Sequence, residues 1–320
     1  MPVTPGTTKL ASGPRWYGRL HERLSSGQFV VTAEIPPPHG ASAEAFRRSA
    51  RALRSWIDAA NVTDGQGARV HLPSWAGALV LLQEGVEPIM QLQCRDRNRI
   101  ALQADLLGAG AMQVPNVLLL TGDPPGAGDD PDAKPVFELG SLQLIEAART
   151  MRDEARLLSG RKLSHPPRWL IGAAEDPFAG SPELAAQRLL KKATAGARFI
   201  QTQFVFDLDG FGRWLDAVRG VGVHEQCRII AGVGPIRSLR SLHFLSQELP
   251  GVHVPDEVVS RLRGVPEDRV PAEGVAICAE TIQRLRELPG VAGVHVMASR
   301  VEEFLPDLLT RAGVGPGRDH

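Results

Sequence analysis

Short apolar runs alternate along the chain with longer stretches whose apolar positions recur at helical spacing. The short runs predict eight strands, at Phe29 to Ile35, Ala60 to Thr63, Pro88 to Gln93, Asn116 to Thr121, Arg168 to Ala173, Arg198 to Phe204, Arg228 to Val233 and Gly293 to Ala298. The first lacks a clean polar alternation, since Val30, Val31, Ala33 and Ile35 flank Glu34, the pattern of a strand buried on both faces. Between them, Phe46, Ala50, Leu53 and Ile57 repeat as one helical face behind a candidate cap at Ser42. Ser74, Asp96 and Ser141 are candidate caps for the segments holding Leu79 and Leu82, Leu102 and Leu106, and Leu144, Ala148 and Met151. Pro182 suits a first helical turn, and Gly196 follows the end of that helix.

Strand and helix in alternation imply parallel strands with crossover helices, and eight such units imply a closed (β/α)8 TIM barrel. The competing open sheet normally carries a phosphate-binding glycine fingerprint after its first strand. Here that strand runs into Glu34-Ile-Pro-Pro-Pro38, with no G-x-G-x-x-G. The segment Pro255 to Gly264 predicts an extra helix before the last barrel helix, Val275 to Leu288. Residues 1–13 are expected to be a mobile start, 14–312 one barrel domain and 313–320 a tail.

Composition narrows the function classes. Lys plus Arg and Asp plus Glu both number 36, so neither nucleic acid nor an anionic membrane surface is an expected partner. Cys94, Cys227 and Cys278 are too scattered for a disulfide framework or thiolate metal site, which fits a cytoplasmic setting. The nine histidines form neither H-x-H nor H-E-x-x-H, so no protein-held metal is expected. No stretch approaches the ~18 apolar residues of a membrane span.

In a barrel of this kind chemistry sits at the carboxyl ends of the strands. Those ends carry Glu34, Thr63-Asp64-Gly65, Gln91 and Gln93, Thr121-Gly122-Asp123, and Gln201-Thr202-Gln203. Any one of them alone is an ordinary satisfied polar group. Together, two acids among amides and hydroxyls suit the hydrogen bonding of a heteroaromatic ring while one carboxyl moves a proton. Glu34 stands out because its neighbours Val30, Val31, Ala33 and Ile35 are apolar, and a buried carboxylate must be paired, protonated or used. A glycosidase carboxylate pair is disfavoured by an aromatic content of 5%. The acids of the 124–132 loop read as solvated, and Lys191-Lys192 as surface charge near a helix end unless a diphosphate recruits Lys192.

From about Phe29 to Ala312 the chain resembles the methylenetetrahydrofolate reductase family. The motifs are Thr32-Ala-Glu-Ile-Pro-Pro-Pro38, Asn61-Val-Thr-Asp64, Cys94-Arg-Asp-Arg-Asn98, Leu119-Leu-Thr-Gly-Asp-Pro-Pro125 and the run from Lys191 to Phe204. The pattern is similar to the reductase half of bacterial fusions with a homocysteine methyltransferase. The resemblance implies a flavin-dependent barrel in which NADH or NADPH reduces FAD, and methylenetetrahydrofolate then takes the hydride to become 5-methyltetrahydrofolate. Carried over by position, Glu34 is the proton donor, Asp123 the acid near flavin and pterin, and Gln203 the folate-binding glutamine. Thr63, Gln91, Leu120, Thr121, Gly122, Asp123, Lys192 and Ala197 match cofactor positions. A homo-oligomer, with a methyltransferase as a further partner, is also implied.

The chain departs from the family pattern in places. Where many members have His-Leu-Thr-Cys it has Gln91-Leu-Gln-Cys94, and where many have Arg-Gly-Asp it has Thr121-Gly-Asp123. A Tyr-Pro-Glu-x-His-Pro segment appears as Gly172-Ala-Ala-Glu-Asp-Pro177, and an aromatic near the last strand as Met297. The exchanges leave two alternatives beside the reductase: a folate-binding subunit of a methyl-transfer system without nicotinamide turnover, and the same chemistry run oxidatively.

Overall fold

A computed structural model describes residues 18–249 and 251–315. The expected mobile start and the last five residues of the expected tail lie outside the described residues. Eight parallel strands close into a barrel in chain order, β1 (Val30–Glu34), β2 (Ala59–Val62), β3 (Pro88–Gln93), β4 (Asn116–Leu120), β5 (Leu170–Glu175), β6 (Phe199–Phe204), β7 (Arg228–Val233) and β8 (Val291–Val296). Closure comes from β8 pairing with β1, in register from Val30 with Gly293 to Ala33 with Val296. The fold is therefore the (β/α)8 barrel that the alternation predicts.

Helix α1 (Arg19–Ser25) precedes the barrel. Its Leu20 and Leu24 pack with Val30, Ala59, Ile89, Leu118, Leu170, Phe199 and Ile230, an apolar floor at the amino end of the barrel interior. The crossovers are α2 (Glu44–Leu53), α3 (Ser74–Gln83), α4 (Arg99–Ala111), α5 (Ser141–Asp153), α6 (Pro182–Ala195) and α7 (Leu208–Gly220). Between β7 and β8 lie three helices, α8 (Leu239–Gln247), α9 (Asp256–Arg263) and α10 (Val270–Glu287), and α11 (Leu305–Arg311) follows β8. Helix α9 is the expected extra helix. Helix α8 has no sequence expectation because its apolar side is short: only Leu242 and Leu245 are buried, and Phe244 faces outward.

Several caps differ from the expected ones. Asn98, not Asp96, caps α4, its Oδ1 accepting the Ile100 and Ala101 amides at 3.1 and 3.0 Å. Asp96 is drawn instead to the Arg95 guanidinium. Ser74 is the first residue of α3, and its hydroxyl donates to the Gln91 carbonyl at 2.6 Å, tying helix to strand. Ala43 occupies the cap position of α2 expected for Ser42, and Gly140 that of α5 expected for Ser141. Helix α6 begins at Pro182 and ends at Ala195, with Gly196 following it as predicted.

Above the apolar floor the barrel interior turns polar. Asn61 and Gln201 meet as a head-to-tail amide pair, with Gln201 Nε2 donating to Asn61 Oδ1 at 3.0 Å and to Thr32 Oγ1 at 3.1 Å. Thr32 Oγ1 in turn lies 2.9 Å from His295 Nδ1. Burial pushes the His295 pKa down to about 3, so the ring is neutral and its Nδ1 can accept from Thr32. All four groups are buried. This layer is the base on which the open end of the barrel stands.

Candidate active site

The carboxyl ends of the strands open into a cavity of about 830 Å³, the size of a small-molecule or cofactor site. Glu34, Gln91, Leu120, Thr121, Gly122, Asp123, Lys192 and Gln203 all line it. Two other predicted positions do not. Ala197 is fully buried two residues before β6 begins, and its amide donates to the Lys192 carbonyl at 3.0 Å. Parallel strands put that position at the opposite end of the barrel from the cavity, which corrects the expectation of a cofactor contact there. Thr63, the residue after β2, is buried, and its Oγ1 has no hydrogen-bond partner among the described residues.

Glu34 ends β1 on the same face as Thr32, two residues below it. Its side chain keeps some exposure to the cavity, while burial pushes the carboxyl pKa up to about 7; a hydrogen bond from Gln66 pulls the other way. The Glu34 site is thus populated in both protonation states near neutral pH. Gln66 comes from the loop after β2, where Gly65, Gly67 and Ala68 all hold left-handed backbone angles. The same loop reaches the other acid: the Gly67 amide donates to Asp123 Oδ2 at 3.2 Å.

Arg95 fastens this loop to the one after β4. Its buried guanidinium is paired with Asp96, and Nη1 donates to the carbonyls of Gly65 at 3.2 Å and Asp123 at 3.4 Å. Asp129 accepts the Val70 amide at 3.2 Å, so one acid of the 124–132 loop is structural as well as solvated. Asp64 takes the Arg97 guanidinium in a two-pronged pair at 2.8 and 3.1 Å and the Gln93 amide at 3.0 Å. These bonds hold the acids' surroundings rigid without occupying Glu34.

Gly122 has φ of 94°, and a Cβ there would collide with Gln93 Oε1. Gly122→Ala is expected to destabilise the fold by about 1–3 kcal/mol in urea unfolding, through left-handed strain and displacement of Gln93. A loss under about 0.5 kcal/mol would mean the loop relaxes freely.

At the end of β6 the ladder to β7 shifts register between Gln201 and Phe204, and Thr202 Oγ1 accepts the Gly232 amide at 2.9 Å. Gln203 Oε1 accepts the Phe204 amide at 3.0 Å, which leaves both Nε2 hydrogens as donors to the cavity. On the next wall, Lys192 Nζ donates to the Ala174 carbonyl at 2.6 Å and to Glu175 Oε2 at 2.7 Å. Arg188 Nε donates to Glu175 Oε1 at 3.1 Å. Lys192 is therefore not the surface charge that its place near a helix end suggests.

A family model for methylenetetrahydrofolate reductase matches residues 19–313. The chain belongs to the methylenetetrahydrofolate reductase family. Among its relatives, a probable methylenetetrahydrofolate reductase (NADPH) of Caenorhabditis elegans is 25% identical over 95% of this chain and 46% of the relative. Methylenetetrahydrofolate reductase 2 of Saccharomyces cerevisiae is 28% identical over 79% of this chain and 41% of its own length. The chain thus spans about half or less of these family members. A solved protein from Clostridium thermocellum that binds two copies of 5-methyl-5,6,7,8-tetrahydrofolic acid superposes with a TM-score of 0.61 at 14% identity, over 92% of this chain and 97% of that one. That likeness is one of fold.

Gln66, Glu175, Arg188 and His295 line the cavity without having been singled out as site residues in the sequence. Arg188 had a usable signal, since it stands four residues before Lys192 and shares its helix face. The others depend on loop and barrel geometry. Among the described residues no cluster of His, Cys, Asp and Glu could hold a metal, and no helix is long and apolar enough to cross a membrane.

Proposed function

We propose that the chain reduces 5,10-methylenetetrahydrofolate to 5-methyltetrahydrofolate with FAD and a nicotinamide donor, and that Glu34 is its general acid. The observation that carries this reading is a carboxyl with a pKa raised to about 7, placed by β1 in the cavity that Asp123 and Gln203 also line. Opening the five-membered ring of the substrate requires a proton on departing N10 and uncovers a cationic N5 iminium. Protonated Glu34 supplies the proton. The Asp123 carboxylate favours the positive charge, and the Gln203 amide donates to the acceptors on the pterin edge.

The cavity fits a flavin in part. Gln91, Leu120, Thr121 and Asp123 offer an amide, an apolar contact, a hydroxyl and a carboxylate to a heteroaromatic ring. Lys192 would take the diphosphate, against the competing claim of Glu175. FAD, when bound, carries the hydride equivalents between nicotinamide and folate. Relatives carry both NADPH and NADH in their names, so either donor is compatible with the family.

The deciding experiment incubates the chain with FAD, methylenetetrahydrofolate and NADH or NADPH in turn, and follows 5-methyltetrahydrofolate by mass spectrometry. Product with either donor supports the reductase. Folate binding without product favours a folate-binding module, a second reading encouraged by the engagement of Lys192 with Glu175. Gln203→Ala should weaken folate binding by about tenfold, measured calorimetrically, while NAD(P)H oxidation stays near wild type. Equal losses in both would assign Gln203 to the integrity of the rim.

A further inference from the structure

The corner of the cavity under β5 and α6 holds two cations and two carboxylates: Arg188, Lys192, Glu175 and Asp176. Glu175 is buried and uses both oxygens, Oε1 for Arg188 at 3.0 Å and Oε2 for Lys192 at 2.7 Å. Lys192 has three donor hydrogens, and the Ala174 carbonyl and Glu175 take two of them. Arg188 also reaches the Asp176 carbonyl at 3.3 Å. An arriving phosphate therefore finds one free lysine donor, no net positive charge, and a carboxylate already on the cations.

We propose that Glu175 is a built-in stand-in anion, which holds Lys192 and Arg188 and gives them up to the phosphate groups of a nucleotide ligand. Glu175 thereby sets how strongly the cavity takes anionic ligands, an inference that rests on reading this cavity as the cofactor site. The side chains of Glu175 and Lys192 are 3% and 19% exposed, whereas Arg188 is 40% exposed. Arg188 is the outer arm of the clamp, and when it turns to solvent Lys192 still pairs the buried Glu175, so exchange begins there. Lys192 is the inner arm and stays in place through the exchange.

Calorimetric titration with inorganic pyrophosphate, FAD and riboflavin tests this on the intact chain. Glu175→Gln keeps the shape of the side chain and removes its charge, so pyrophosphate and FAD should bind about tenfold more tightly or better. Riboflavin, which has no phosphate, should change by less than about twofold. Lys192→Met introduced into that variant should abolish the gain. Equal pyrophosphate affinity in wild type and Glu175→Gln, an equal gain for riboflavin, or no pyrophosphate binding to either protein overturns the proposal. If Glu175→Gln does not fold, the carboxyl-carbon resonance of Glu175 in the wild-type chain decides. It should move during a pyrophosphate titration and saturate with binding, and a stationary resonance overturns the exchange. Failure of riboflavin and FAD to bind, beside a pyrophosphate response, would instead defeat the flavin reading and leave the clamp standing.

Discussion

Glu34→Gln should lower methylenetetrahydrofolate reduction by roughly 10²- to 10⁴-fold, the usual loss when a general acid is removed. Nicotinamide oxidation needs no proton at N10 and should continue, so stopped-flow measurements of the two half-reactions should separate. The same substitution should stabilise the protein at alkaline pH. The folded pKa of Glu34, about 7, lies above the ordinary value of 4.5, so folding binds this proton more tightly. Stability from this group is then full below pH 4.5 and is lost as pH rises through 7, a loss of about 3 kcal/mol at pH 8. Glutamine has no charge to bury. Urea unfolding should find Glu34→Gln the more stable protein at pH 8 and close to wild type at pH 4. Unchanged folate reduction would make Glu34 a structural carboxyl, and lower stability at pH 8 would mean its anion is compensated in the fold.

The second large effect belongs to the polar layer beneath the cavity. Asn61→Leu removes both hydrogen bonds of the amide pair and leaves Gln201 with a buried, unpartnered carbonyl and one unpartnered N–H. The expected cost is about 3 kcal/mol, because such groups lose water without gaining a partner. Gln201→Leu added to Asn61→Leu should recover part of that loss, since two apolar side chains leave less of the pair unsatisfied. Urea unfolding of the two single variants and the double variant measures the coupling. Strictly additive losses would show that the amides act independently.

Much of the barrel is legible in the chain because the strands are largely buried on both faces and show as short runs rich in apolar residues. Pro88–Gln93 and Arg228–Val233 form strands over the residues expected. The fifth strand shows what limits such reading. Expected to stop at Ala173, it continues to Glu175, because a carboxylate at a strand end reads as a loop until Arg188 and Lys192 are brought to it by α6. Asp96 failed as a cap for a similar reason, its charge being drawn by Arg95.

The cavity lining was legible at Glu34, Gln91, Asp123 and Gln203, which lie at or near the carboxyl ends of their strands. It was misread where residues adjacent in a motif separate in space. Ala197 and Gln203 belong to one motif, yet six strand residues carry the chain about 20 Å from one end of the barrel to the other. Lys192 sits only five residues before Ala197 and still lines the cavity, because its long side chain reaches back along α6 to the Ala174 carbonyl. Gln66 and the Gly65–Ala68 turn could not be assigned to Glu34 without the left-handed backbone that aims them.

The pH dependence of a single turnover tests the central claim most directly: reduced, flavin-loaded protein mixed with methylenetetrahydrofolate between pH 5.5 and 9, at about saturating folate. If Glu34 delivers the proton, the rate falls tenfold per pH unit above an apparent pKa near 7, the value to which burial raises this carboxyl. A rate that stays flat across that range in wild type, with the same profile in Glu34→Gln, would contradict the assignment of Glu34 as the acid.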